Sequence, residues 1–209
     1  MAIICPAILT GSLDEYHKYF SIAAKSARRI HLDIMDGTFT DNKSLPLEDA
    51  IWPSQYQIDI HLMVAEPMNY IDLLINKRPH MVIIHNEANV HHMLFSAKLH
   101  EFDIQTGLAL LKDTPVDYAK QIIHSFDHVL IFSGDLGHYG GVADLNQLTK
   151  VDQINEIYPG VEIGWDGGVN SENAKEIKDK GVEILNVGSY LSKSSDFKNA
   201  YDKLEGSIV

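Results

Sequence analysis

The sequence predicts an α/β fold: a single (β/α)8 barrel domain over residues 1–209. Three observations carry this. Eight short apolar runs recur along the chain, amphipathic stretches separate them, and residues able to do chemistry lie in or close three of the runs. The runs, at residues 3–5, 30–35, 57–63, 81–85, 105–110, 128–132, 162–165 and 184–187, are almost continuously hydrophobic. That pattern suits parallel strands covered on both faces. An open doubly wound sheet concentrates its chemistry at one switch point, whereas a barrel gathers several strand ends around one mouth. Here the second, third and seventh runs carry the chemistry, which favours the barrel.

Between the runs lie helix-forming stretches at residues 13–27, 68–75, 90–100, 116–125, 148–158, 173–180 and near 196–204. Pro67 and Pro115 stand at helix starts, where a missing N–H costs nothing. Asn170, Ser171 and Asn173 offer capping oxygens ahead of Ala174, and Gly181 supplies a stop. Residues 36–54 carry little helix signal, so any helix there is expected to be short. No linker, charge block or composition shift marks a second domain.

A chain of 209 residues that is 45% hydrophobic can bury one sizeable core. Its net charge of -12 argues against general binding to nucleic acid or an anionic membrane. No apolar stretch approaches the roughly 20 residues of a membrane span. The first residues lack the basic and apolar regions of a signal peptide. Cys5 is the one cysteine, so no intramolecular disulfide forms; it reads as a small buried hydrophobe in a reducing compartment. A soluble, cytoplasmic chain is expected, and a barrel this small is expected to associate as a homo-oligomer.

His31, Asp33, His61 and Asp166 are the candidate centre. A two-residue step along a strand returns to the same face, so His31, Asp33 and Met35 point one way, and His61 and Met63 repeat the pattern. Such residues could merely fill the barrel, but four metal-competent side chains are costly to bury unless ligated or paired. Their mixed nitrogen and oxygen donors suit one divalent ion, Zn, Fe(II), Mn or Co. The two carboxylates could also move protons beside a carbonyl. Met35 and Met63 are either ordinary core or apolar caps on a substrate.

Glycines form a second constellation: Gly137, Gly140 and Gly141 after the sixth run, Gly167 and Gly168 after the seventh, and Gly188 with Ser189 after the eighth. Each pair alone suits a turn. Together, after successive strands, they suit backbone N–H groups held close to a phosphate. Asp36-Gly37 reads as a turn with Asp36 in solvent. His85 and Glu87 face the mouth as supporting groups. His91, His92, His100, His124 and His128 lack acidic partners at strand ends and read as surface or core histidines. No G-x-G-x-x-G follows the first run, so no dinucleotide fingerprint is present.

These motifs together resemble the ribulose-phosphate 3-epimerase family. The resemblance rests on Pro6-Ala7-Ile8-Leu9, His31-Leu32-Asp33-Ile34-Met35-Asp36-Gly37-Thr38-Phe39, Asp59-Ile60-His61-Leu62-Met63-Val64, His85-Asn86-Glu87-Ala88, Asp166-Gly167-Gly168-Val169 and Asn186-Val187-Gly188-Ser189. It implies a TIM barrel of the ribulose-phosphate-binding type, with a metal on His31, Asp33, His61 and Asp166. It also implies that Asp33 and Asp166 transfer protons through a metal-stabilised enediolate. The expected reaction is epimerisation at C3 of a ketose phosphate, D-ribulose 5-phosphate to D-xylulose 5-phosphate; close relatives act on hexulose phosphates such as D-allulose 6-phosphate. Four places depart from the family pattern. Ala7 stands for a serine, Leu111-Lys112 for Asn-Pro, Thr40-Asp41-Asn42 for Val-Pro-Asn, and the loop 137–142 matches only loosely. An aldolase or decarboxylase on the same barrel, or a non-catalytic sugar-phosphate binder, are the competing expectations.

Overall fold

The computed structural model describes residues 2–138 and 140–209. Eight parallel strands close a barrel in sequence order. They are β1 (Ile3–Ile8), β2 (Arg29–Met35), β3 (Gln57–Met63), β4 (Met81–His85), β5 (Gln105–Leu110), β6 (His128–Phe132), β7 (Glu162–Asp166) and β8 (Ile184–Val187). The helices are α1 (Leu13–Ala23), α2 (Ile71–Lys77), α3 (His92–His100), α4 (Thr149–Ile157), α5 (Ala174–Asp179), α6 (Ser189–Ser192) and α7 (Phe197–Ser207). Among the described residues, no helix is long and apolar enough to cross a membrane.

Three of the differences from the sequence expectation have a visible physical reason. β1 does not stop at Cys5 but runs through Pro6 to Ile8. It pairs with β8 over Ile3 to Pro6 and with β2 at Ala7 and Ile8, so the proline falls where one partner gives way to the other. α1 ends at Ala23 rather than residue 27, because Lys25 and Ser26 tighten to i−3 bonds as the chain turns into β2. Residues 116–125 form two 3-10 turns, Val116–Ala119 and Ile123–Ser125, instead of one α-helix. Val116, Ile122 and Ile123 are β-branched, and the turns bury Val116, Ala119 and Ile123 against the barrel through i−3 bonds. Between β2 and β3 only the 3-10 turn Leu47–Asp49 forms, in line with the weak helix signal there.

The period of two divides each strand between two environments. Ile30, Leu32 and Ile34 of β2, and Ile58, Ile60 and Leu62 of β3, belong to the outer core beneath the helices. Met81, Ile83, Ala109 and Leu130 form a separate apolar cluster inside the barrel. Much of the rest of the interior is polar. At the N-terminal end of the barrel, Arg29 Nε donates to Asp59 (2.6 Å), and its two terminal nitrogens grip Glu162 (2.9 and 2.8 Å). His80 Nδ1 meets Asp59 at 2.8 Å, and His128 Nδ1 meets Glu162 at 2.8 Å. His128 therefore has an acidic partner after all, on the adjacent strand. Its ring fits inside because position 164 is glycine: a Cβ there would lie 2.5 Å from His128 Nε2. Cys5 is fully buried and unbridged, as expected.

Burial alone would raise the Glu162 carboxyl, but the hydrogen bonds and charges of His128 and Arg29 hold it well below the usual carboxylate range. A folded-state pKa below the unfolded one stabilises fully above the ordinary glutamate value of 4.5, and that contribution declines as pH falls from there through the lower folded-state value. The melting temperature of Glu162→Gln should therefore depend less on pH than the wild type's between about pH 5 and pH 3; parallel curves would refute this. Arg29→Met leaves two carboxylates facing each other with Asp59 buried, and urea denaturation at neutral pH should register a loss of about 3–5 kcal/mol.

Candidate metal and active site

β2 and β3 pair in register over all seven residues, which sets Asp33 beside His61. Asp166 closes β7 on the same interior face. His61 Nδ1 lies 3.0 Å from Asp33 Oδ1 and 3.6 Å from Asp166 Oδ2. His31 Nε2 lies 3.2 Å from Asp33 Oδ1 and 3.9 Å from Asp166 Oδ2. One ligand atom from each residue falls within 4.8 Å of every other.

The four residues fit a divalent cation. Both histidines are fully buried, and neither ring nitrogen of His31 has a hydrogen-bond partner among the described residues. A buried lone pair facing two carboxylate oxygens calls for a positive charge between them. Two carboxylates supply the matching negative charge.

The same crowding separates the two acids. Burial would raise Asp33, but the close His31 and His61 rings take it well below the usual range. Asp166 is raised to about 6, first by burial and then by the nearby Asp33 charge.

A chain of polar contacts runs outward from His61. Its Nε2 meets Nε2 of the buried His85 at 2.8 Å, and His85 Nδ1 lies 3.5 Å from Glu87. If His61 turns the Nδ1 lone pair to the centre, Nε2 carries its proton and donates to His85, whose own proton then faces Glu87. Burial, against the opposing pull of Glu87, lowers His85 to about 4. Glu87 also accepts from Thr114 Oγ1 and, at 3.4 Å, from Leu111 N. The buried Lys150 ammonium donates to the Leu111 and Lys112 carbonyls at 2.5 and 3.0 Å. The loop after β5, where the motif departs from the family pattern, is thus fastened by Glu87 and Lys150.

A cavity opens above the tetrad. Asp33, Asp166, Met63, Gly140, Gly167, Gly168, Gly188 and Ser189 all border it. Met35 pairs in register with Met63 but, like Gly141, is not among the bordering residues. Tyr139, within the loop 137–142, lies outside the described residues. Ala7 and Asn186 also border the cavity. Asn186 escaped the sequence reading as a site residue, although a polar residue two places before Gly188 in an apolar run was a visible signal.

The loops over the cavity lean on one another. Asn42 Nδ2 donates to the Gly137 carbonyl at 2.9 Å, joining the β2 and β6 loops. Asp36 is not a solvated turn residue: its carboxylate accepts from Thr38, Phe39 and Ala65 N–H groups, fastening the β2 loop to the end of β3. Gly167 and Gly168 have φ of 110° and 72°, and a Cβ on either would come within 2.1 Å of a β6-loop nitrogen. Packing demands glycine at both places before any ligand does.

The chain matches the profile of the Ribulose-phosphate 3 epimerase family over residues 3–192. It is 30% identical to the ribulose-phosphate 3-epimerase of Helicobacter pylori, over 97% of this chain and 96% of that protein. It is 28% identical to that of Bacillus subtilis, over 99% and 100%. Among solved structures, KGPDC from Streptococcus mutans, crystallised as a ligand complex, superposes with a TM-score of 0.77 at 12% identity, over 99% of this chain and 97% of that one. A 3-hexulose-6-phosphate synthase gives 0.74 at 13% identity, over 99% of both chains. These two structural likenesses establish the fold.

Gly168→Ala tests the packing argument. The positive φ alone should cost about 1–3 kcal/mol, and the clash with the Ala143 nitrogen adds to it. Denaturation should show at least that loss; a neutral effect would mean the β6 loop yields easily.

Proposed function

We propose, on the premise that the chain belongs to the ribulose-phosphate 3-epimerase family, that it interconverts D-ribulose 5-phosphate and D-xylulose 5-phosphate by two-aspartate proton transfer. That it is an epimerase, of the isomerase class, follows from the family match and the named relatives. The observation that carries the finer reading is the tetrad: two buried imidazoles and two carboxylates, their ligand atoms within 4.8 Å, at the carboxyl ends of β2, β3 and β7.

His31, Asp33, His61 and Asp166 would hold one divalent ion. When bound, it supplies positive charge beside the ketose carbonyl, which acidifies the neighbouring C–H and steadies negative oxygen. The remaining chemistry belongs to the chain. One aspartate takes the C3 proton, and the C–H electron pair moves toward C2 to give an enediolate. The other aspartate, as the acid, delivers a proton to the opposite face of C3. Inversion requires the two carboxylates to address opposite sides of the substrate plane. The unequal surroundings of Asp33 and Asp166 support such a division into base and acid. No net redox change occurs, so no redox cofactor enters the scheme. Backbone N–H groups of the Gly140, Gly167–Gly168 and Gly188–Ser189 loops would receive the phosphate.

Ala7 favours one second reading. It borders the cavity with a methyl group where the family pattern has a hydroxyl, so the preferred ketose phosphate could be a hexulose such as D-allulose 6-phosphate. An aldolase or decarboxylase has less support. It would want a cation at the mouth, and Lys112 instead pairs with Asp135 at 3.0 Å and does not border the cavity.

Metal analysis of purified protein should find one divalent ion per chain, lost in His61→Ala; equal content in both would refute the ligand set. Asp33→Asn and Asp166→Asn should each abolish epimerisation while retaining, where metal stays bound, deuterium exchange at C3 from one epimer only. Turnover near the wild-type rate in either variant, followed by NMR in D2O, would end the two-base scheme. D-ribulose 5-phosphate should exceed unphosphorylated D-ribulose in kcat/KM by well over tenfold. Equal values would remove the phosphate site.

A further inference from the structure

One polar side chain at the cavity has no part in this scheme. Asn186 interrupts the apolar run of β8, and only 2% of it is exposed. Neither its Nδ2 nor its Oδ1 has a hydrogen-bond partner among the described residues. It borders the same cavity as Asp33, Asp166 and Ser189. Its Cα is the register partner of Asp166 on one side and Cys5 on the other. Gly188 follows two residues later, so Asn186 stands beside the tetrad and just ahead of the glycine loop of β8.

Buried amides in folded proteins are almost always satisfied, and one with both ends orphaned calls for a partner that the chain does not supply. The missing partner must accept from an N–H and donate to a carbonyl oxygen. An alcohol hydroxyl does both; a carbonyl, an ether or an apolar group does not. Ala7, on the adjacent strand β1, brings only a methyl group to the same cavity.

We propose that Asn186 is a specificity-determining residue that hydrogen-bonds the sugar hydroxyl standing between the carbon that reacts and the phosphate ester. In a pentulose 5-phosphate that is the C4 hydroxyl. The assignment rests on the tetrad and glycine-loop reading of the site. Asn186 reads the substrate and takes no part in proton transfer.

The test compares wild type with Asn186→Leu, which is close to the amide in size and apolar. Asn186→Val repeats the comparison should leucine overpack the barrel. D-ribulose 5-phosphate and its 4-deoxy analogue serve as substrates. D-ribitol 5-phosphate, which cannot enolise, serves as a calorimetric ligand. Wild type should favour the hydroxylated substrate by about tenfold or more in kcat/KM. The variants should lose most of that preference, through slower use of D-ribulose 5-phosphate alone. They should also bind D-ribitol 5-phosphate about tenfold more weakly. Metal content should be unchanged and melting temperature equal or higher, because an unpaired buried amide has gone. Unaltered discrimination and ribitol phosphate affinity in a folded variant would overturn the Asn186 assignment and leave the epimerase reading standing. A metal-loaded wild type that neither binds D-ribitol 5-phosphate nor turns over any ketose phosphate would overturn both.

Discussion

Ionisable side chains that point into a barrel must find partners of opposite charge, because little water reaches them. Most of this molecule's interior follows from how that demand is met. The in-register pairing of β2 with β3 places Arg29, His31 and Asp33 beside Asp59 and His61, and β7 contributes Glu162 and Asp166. At one end the demand is satisfied internally, with Arg29 held between two carboxylates that each also take a histidine. At the other end it is left open. His31 has no hydrogen-bond partner for either nitrogen among the described residues, and Asp33 and Asp166 share one small volume. A closed network gives stability; the open one can receive a cation and a reacting carbon.

The loops repeat the contrast between fastened and open. Asp36 ties the β2 loop to the end of β3, Asn42 ties it to the β6 loop, and Glu87 with Lys150 holds the β5 loop. Glu87 matters twice, since the same carboxylate faces His85 and, through it, His61. The orientation of a candidate metal ligand is thereby coupled to a loop whose sequence has drifted from the family pattern. The strand-end residues match the motifs that carry the family resemblance, whereas the loop residues around them depart from it.

Much of the fold was legible because parallel strands buried on both faces announce themselves as apolar runs. The tetrad was legible because a two-residue step fixes the facing of His31 and Asp33. The rest depends on contacts between distant residues. His128 looked solitary because its partner Glu162 lies 34 residues away, and only the β6–β7 register joins them. Gly164 looked like an ordinary small residue until the His128 ring was seen to fill the place of its side chain. Residues 116–125 carried a helical period, but β-branched residues and a tight path over the barrel turned it into 3-10 geometry. Asn186 belongs to one of the motifs, but nothing local in the sequence says that its amide will lack partners.

Arg29 has a bearing on how such a molecule can change over generations. It stands on β2 and grips β3 through Asp59 and β7 through Glu162, the same three strands that carry the tetrad. A strand that slid or tilted at the foot would move its ligand at the mouth, so the cluster acts as a truss far from any substrate. Variation at the foot of these strands is consequently not free of the chemistry at the top. A substitution at Arg29, Asp59 or Glu162 narrows the set of changes that the mouth can accept next. β5 and β8 contribute no residue to this cluster.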